Sequence, residues 1–396
     1  MASTFITTQT VLAQAPRWFT LLSLLCATGC GPISRASVPF HPKELQTIYA
    51  HTASSAPAIA HNTLYFGGET EEFVPTLFAV DQDTGQIRWQ FSLSGAGEVS
   101  HIPTIANGIL YVGVIHHSDP AIYALNAQTG QLQWQIPVAS NVLSPVIVGD
   151  GMAYFRELHG YLRARDASTG EQRWMFPAEG SLKLSRNGEA LHERSQEVMS
   201  NPAVAEGLVY VGTRTGLEAL DAKTGKRVWR FATQNWVETA PLLHNGRVYI
   251  GSGSDDRSQG FLYGLSAKTG ALEWDYAIAG GIVDSELAIA HGLIFFGGNS
   301  PHLHAVELAT QQEKWRFPTR ISTHDAVPFV QGDSVVFAVE EVVYALDAQT
   351  GTLRWSYKEC LNCNGYTPHI QGPTLDNGSL YYLLRDKIYQ FQADDP

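Results

Sequence analysis

The chain has 396 residues, 44% hydrophobic and 11% aromatic, with 36 Gly and only 16% charged residues. That composition suits a large β-rich core and excludes a disordered chain, which lacks the apolar surface to offset the entropy of ordering. A net charge of −12 without any Lys/Arg-rich run excludes nucleic acid as a partner, because phosphate binding needs a concentrated basic face.

The first element is a leader over residues 1–29. Arg17 precedes WFTLLSLLCATGC, an apolar stretch that ends in small residues at Cys30. A basic start, an apolar core and a small-residue cleavage site make a secretory signal, too short to span a bilayer. Ala27-Thr28-Gly29-Cys30 resembles a bacterial lipobox, which implies lipidation of Cys30 and attachment to a membrane surface. Residues 30–40 read as a tether. The mature chain is therefore expected to be extracytoplasmic, in the periplasm, and lipid-anchored.

From residue 44 onward the sequence is strands and turns. ELQTIYAHT (44–52) is an orphan strand, followed by the hairpin SAPAIAHNTLYFGG (55–68). Then come seven related strings, beginning with LFAVDQDTGQIRW (77–89) and ending with VYALDAQTGTLRW (343–355). Their tryptophans are Trp89, Trp134, Trp174, Trp229, Trp274, Trp315 and Trp355, spaced 40 to 55 residues apart. Each string reads as strand, Thr-Gly turn, strand. Gly supplies the positive φ of a tight turn. Gln311 takes the Gly position in the sixth copy, so that turn is expected to be looser or of another type. Before each string lies a second hairpin with an x-Gly turn, as in NPAVAEGLVYVG (201–212). Four antiparallel strands in each unit of this length make a propeller blade.

Eight x-Gly hairpins stand against seven Trp strings. The last hairpin, 372–384, is followed by one strand, DKIYQFQA (386–393), and then the chain stops. Residues 44–52 are expected to supply the missing fourth strand, closing the ring and covering an open sheet edge. The expected fold is an all-β, eight-bladed propeller in one monomeric domain, 41–396.

Strings of the form ALDAxTGxxxW resemble the tryptophan-docking repeats of the PQQ-like (quinoprotein) propeller superfamily and, within it, the BamB-like lipoproteins. The resemblance implies either a scaffold of outer-membrane protein assembly or a quinone-dependent oxidoreductase. The enzymes use PQQ and calcium in a central funnel, beneath adjacent cysteines. This chain has no Cys-Cys pair and its blades are nearly minimal, so neither PQQ nor calcium is expected, and no catalytic or metal-binding residue is assigned. The repeat tryptophans are architectural, each packing on the neighbouring blade through an indole that also has a hydrogen-bond donor.

Cys26 leaves with the leader. Cys360 and Cys363 flank Leu361-Asn362 without the following His of a c-type haem site or the helix of a thioredoxin site, and are candidates for a local disulfide. His116, His117 and Asp119, and His302 with His304, read as loop or surface groups. The long insertions, 67–76, 114–121, 178–200 and 251–260, all fall between the second and third strands or between blades. Those loops share one face and commonly carry recognition. Leu182, Lys183, Leu184, Arg186 and Arg194 of the longest loop, with Asp255, Asp256 and Arg257, are the candidate partner-binding residues. A protein-binding scaffold is the expected function. The alternatives are a quinoprotein oxidoreductase, or a relative of one with a ligand site in the funnel, and polysaccharide binding there.

Overall fold

The computed structural model describes residues 43–47, 55–70, 72–93, 97–99, 101–116, 119–178, 196–253, 258–279, 281–323, 326–339, 342–358, 371–376, 379–384 and 387–392. They form eight antiparallel sheets. Blades 1 to 7 begin with the strands Ala58–Ala60, Thr104–Ala106, Ile147–Gly149, Ala203–Ala205, Leu242–His244, Ala288–Ala290 and Phe329–Gln331. Blade 8 begins with Gln371–Asp376. These first strands line the middle of the ring, and the one in blade 8 neighbours both blade 7 and blade 1.

Local turn chemistry sets each blade. In the x-Gly hairpins of blades 2 to 6 both central residues have positive φ, as at Asn107 and Gly108 (52° and 75°) and Asp150 and Gly151 (51° and 76°), and blade 1 makes the same turn without Gly, at His61 and Asn62 (49° and 58°). Two such residues give the twist that suits a two-residue hairpin. In the Thr-Gly turn the Asp does the organising. Asp81 Oδ1 accepts hydrogen bonds from the Thr84 amide and hydroxyl, both at 2.8 Å, while Gly85 N–H returns to the Asp81 carbonyl. Asp166, Asp221 and Asp347 repeat this, and Asn126 does so without a charge. Arg354 binds the second Asp347 oxygen at 2.7 Å and, with the Thr350 hydroxyl, holds that carboxyl at about 2.

The turn at Gln311 corrects the expectation of a looser loop. Gln311 adopts φ 59° and its N–H bonds the Glu307 carbonyl at 2.9 Å, the closure that Gly makes elsewhere. A non-Gly residue can occupy this region at modest cost.

The seams between blades are built by the repeat tryptophans. Trp89, Trp134, Trp174, Trp229, Trp274 and Trp315 donate their indole N–H to Ala127, Ala167, Ala222, Ala267, Leu308 and Ala348 carbonyls of the next blade, at 2.9–3.1 Å. Tyr111, Tyr154 and Tyr210 send their hydroxyls to the same Ala167, Ala222 and Ala267 carbonyls. All of these indoles but Trp274, whose next turn has Gln311, also lie on the turn glycine beyond: a Cβ at Gly225 would stand 2.6 Å from the Trp174 ring, and one at Gly270 would stand 2.5 Å from Trp229. Gly here therefore serves both positive φ and close approach. Trp355 is buried, as are Trp174, Trp229 and Trp274, while Trp89, Trp134 and Trp315 are half-buried. Ala393, at the matching repeat position of blade 8, lies outside the described residues.

Closure follows the expectation with trimmed bounds. Lys43–Thr47 is the fourth strand of blade 8, antiparallel to Lys387–Gln392. Blade 2 carries a fifth, two-residue strand, Glu98–Val99, because its second strand runs on to Ile115 and pairs with the incoming loop.

Candidate partner-docking face

Antiparallel order places the hairpin turns on one face of the ring. The loops between second and third strands and between blades emerge on the other. Five interblade loops are fixed on that face by one device. Ser55, Ser144, Ser200, Thr239 and Ser285 each accept a backbone N–H from the residue twelve positions on, at 2.6–3.0 Å. The donors are Gly67, Arg156, Gly212, Gly251 and Gly297. All five hydroxyl-bearing residues are buried, so an unmet amide there would be costly. This spacing of a hydroxyl two or three residues ahead of the first strand is visible once the repeats are aligned.

Arg156 breaks the glycine pattern. Its Nη2 donates to the Leu143 carbonyl at 3.0 Å, and burial lowers its pKa against the opposing pull of Glu238 and Glu197. His101 takes the place of the latch hydroxyl in blade 2. Burial, with Arg156 nearby, pushes it down to about 4. Glu286 sits at the entrance to the first strand of blade 6, its carboxylate accepting the Ala240 N–H, and burial raises its pKa. Cationic, neutral and acidic groups of blades 3, 2 and 6 thus lie on the loop side of the funnel, while the first strands of blades 1 to 6 are nearly all aliphatic.

The C-terminal root of the longest insertion is firmly held. Glu197 pairs with Arg214 at 2.6 Å and packs over Gly160, where a Cβ would meet its Cγ at 2.2 Å. Val198 is fully buried and donates its N–H to the Gly160 carbonyl at 2.9 Å. Leu182, Lys183, Leu184, Arg186 and Arg194 lie outside the described residues, as do Asp255, Asp256 and Arg257. So do Cys30, Cys360, Cys363 and His117.

What the described part of this face does show is exposed apolar side chains. Phe73 is 63% exposed in the loop of blade 1, at φ 59°, and Leu158 is 50% exposed in the loop of blade 3. Ile102 and Ile321 are exposed in interblade loops. Sequence patterning missed them because each is a single apolar residue in a polar loop.

The histidines are engaged locally. His116 Nδ1 accepts the Asp119 N–H at 3.0 Å. His302 pairs with Ser300, and buried His304 with Glu313 at 2.6 Å while stacking on Phe296. Among the described residues no three His, Cys, Asp or Glu side chains are grouped to hold a metal.

The profile of the family described as "Outer membrane protein assembly factor BamB" matches residues 75–200, 185–281 and 258–375, well over half of the chain. A BamB from Moranella endobia is 24% identical over 327 residues, covering 77% of this chain and 79% of that protein. An "Alcohol dehydrogenase (quinone), dehydrogenase subunit" from Komagataeibacter europaeus is 32% identical over 149 residues. That match covers 34% of this chain and spans only 19% of the enzyme's length. The solved structure of BamB from Moraxella catarrhalis superposes with a TM-score of 0.66 at 17% identity, over 85% of this chain and 95% of that one.

Proposed function

The chain belongs to the family of outer membrane protein assembly factor BamB, and from that premise we propose that it is a non-catalytic, extracytoplasmic scaffold for envelope protein assembly. It binds a protein partner on the long-loop face and is held to the membrane through a lipid on Cys30. The observation that carries this reading is the loop face itself. Phe73, Ile102, Leu158 and Ile321 are exposed there, and backbone hydrogen bonds hold the chain beside three of them: Phe73 N–H to Thr70, Leu158 N–H to Asn141 and Thr323 N–H to Gly298. Apolar anchors on a rigid frame are what an interface needs, since little ordering entropy is lost on docking.

The quinoprotein alternative asks for carboxylates and amides converging on a calcium ion in the funnel. The first strands of blades 1 to 6 offer Ala, Val, Ile, Leu, one Gly, Thr104 and His244 instead, with an amide from Gln331 in blade 7. Glu286 at the mouth already accepts the Ala240 N–H, and among the described residues no three His, Cys, Asp or Glu side chains converge, which favours the scaffold reading. A funnel without cofactor follows from this reading. The test is site-specific photo-crosslinking in cells from Leu158 and from Ile87 on the opposite side of the blades. Leu158 should yield a defined adduct with an outer-membrane assembly component and Ile87 should not. Alcohol oxidation by the purified protein after addition of PQQ and Ca²⁺ would overturn the reading.

A further inference from the structure

The seam between blades 8 and 1 is changed at three matched positions. Lys43 stands opposite Gln390, the register place that Trp355 holds opposite Ala345. Neither 43–47 nor 371–392 contains a Trp. Gln82 stands where later blades carry Ala127, Ala167, Ala222, Ala267 and Ala348. Gln390 stands where the third strands carry Ala or Gly. The two amides meet at buried Tyr381, which keeps the tyrosine position of Tyr154 and Tyr210. Gln82 Nε2 donates to the Tyr381 hydroxyl at 2.6 Å and Gln390 Nε2 at 3.0 Å, and Gln390 also reaches Ser379 Oγ at 2.9 Å. Gly85 still makes its turn at φ 70°, although blade 8 has no indole to lay on it.

The closing strand differs in connection as well. Fourth strands in blades 1 to 7 follow their third strands through a tight hairpin, Thr-Gly in all but blade 6, where it is Thr310-Gln311. Residues 43–47 join the sheet from the far end of the chain, by backbone pairing whose one register shift, between Glu44 and Gln46, has a counterpart in every other blade. Release of this strand severs no hairpin and withdraws no indole. The described contacts of that seam include Tyr381 packed with Leu64, Phe66, Phe78 and Val80 of blade 1 and the neutral hydrogen bonds of Gln82 and Gln390 to it. They join blade 1 to the second and third strands of blade 8, so release of 43–47 leaves them in place.

We propose that the outer edge of Lys387–Gln392 is a strand-exchange site. Residues 43–47 leave it while the other seven fourth strands stay paired, and the edge then takes an extended peptide strand in their place, first of all the same segment of a second copy. Recognition is antiparallel β-addition. The paired glutamines select against a large aromatic residue at the Lys43 position.

Hydrogen exchange and peptide uptake on the mature full-length chain test this. Amides of 43–47 should exchange about tenfold or more faster than those of 353–358, the latched fourth strand next door. A fluorescent peptide of residues 41–49 should be taken up saturably, and its scrambled form should not. The double variant Lys43→Trp/Gln82→Ala, which rebuilds the latch over Gly85, should slow both exchange and uptake. A disulfide through Thr47→Cys/Lys387→Cys, at paired positions, should block uptake until reduced, and it does not depend on an indole fitting. Equal protection of 43–47 and 353–358, or no uptake of the 41–49 peptide by the unaltered chain, would overturn the proposal.

Discussion

The seam between blades 4 and 5 and the seam between blades 8 and 1 solve the same problem with different chemistry. In the first, Trp229 is buried, sends its N–H to the Ala267 carbonyl at 3.0 Å, lies over Gly270 and shares its acceptor with the Tyr210 hydroxyl. In the second, a Tyr hydroxyl and two glutamine amides stand in for the indole. The comparison teaches that the repeat is specified by the seam and not by the blade. Blade 1 carries Gln82 in place of Ala because blade 8 presents no Trp to it.

That contrast can be broken or sharpened by mutation. The largest effect is expected from Trp229→Ala, which leaves a cavity in a buried seam and should cost about 3–5 kcal/mol in urea unfolding. Gln82→Ala at the closing seam should cost only about 1 kcal/mol, the net loss of a neutral hydrogen bond. Next is the pair Gly225→Ala and Gly85→Ala. Both force Ala into positive φ, at about 1–2 kcal/mol, but only the Gly225 change drives a Cβ into an indole. Gly225→Ala should therefore be the more damaging, and equal losses would mean that the indole contact contributes nothing.

Ser200→Ala strips the acceptor from the buried Gly212 N–H and should cost about 1–3 kcal/mol, read as a fall in urea midpoint. The last prediction concerns pH. Burial lowers His101 from 6.5 to about 4 in the folded chain, so the unfolded chain takes up the proton first. The stabilisation is present above pH 6.5 and is lost as pH falls from 6.5 toward 4. His101→Ser, which restores the residue type found at this repeat position in blades 1, 3, 4 and 6, should flatten the thermal-stability profile across that window.

Much of this architecture was legible in the residues because the periodicity is physical. Trp, Thr-Gly and x-Gly recur where an indole, a positive φ and a tight hairpin are required. The closing strand was legible from counting hairpins against tryptophans. Three things escaped. The Gln311 turn looked anomalous, because the cost of positive φ was set too high against the hydrogen bond to Glu307 that holds it. The Ser and Thr latches were hidden, since a hydroxyl ahead of a strand looks like ordinary loop polarity until its partner twelve residues on is known. The Gln82–Tyr381–Gln390 chain joins residues almost 300 positions apart, which local patterning does not reach. At the loop face, insertion length singled out 67–76, which holds Phe73, but not the short loop that holds Leu158 or the interblade loops of Ile102 and Ile321.

The register of the closing strand also gives the ring a polarity. Lys43 pairs with Gln390, toward the hairpin side, and Thr47 with Lys387, toward the loop side, so the strand climbs through the disc from one side to the other. Whatever precedes Lys43 pulls from the hairpin side. Were that a leash ending in a lipid on Cys30, the propeller would hang from the bilayer by its hairpin side, with Ile87, Leu132, Val228 and Leu272 toward the membrane and Phe73 and Leu158 turned outward to meet passing proteins.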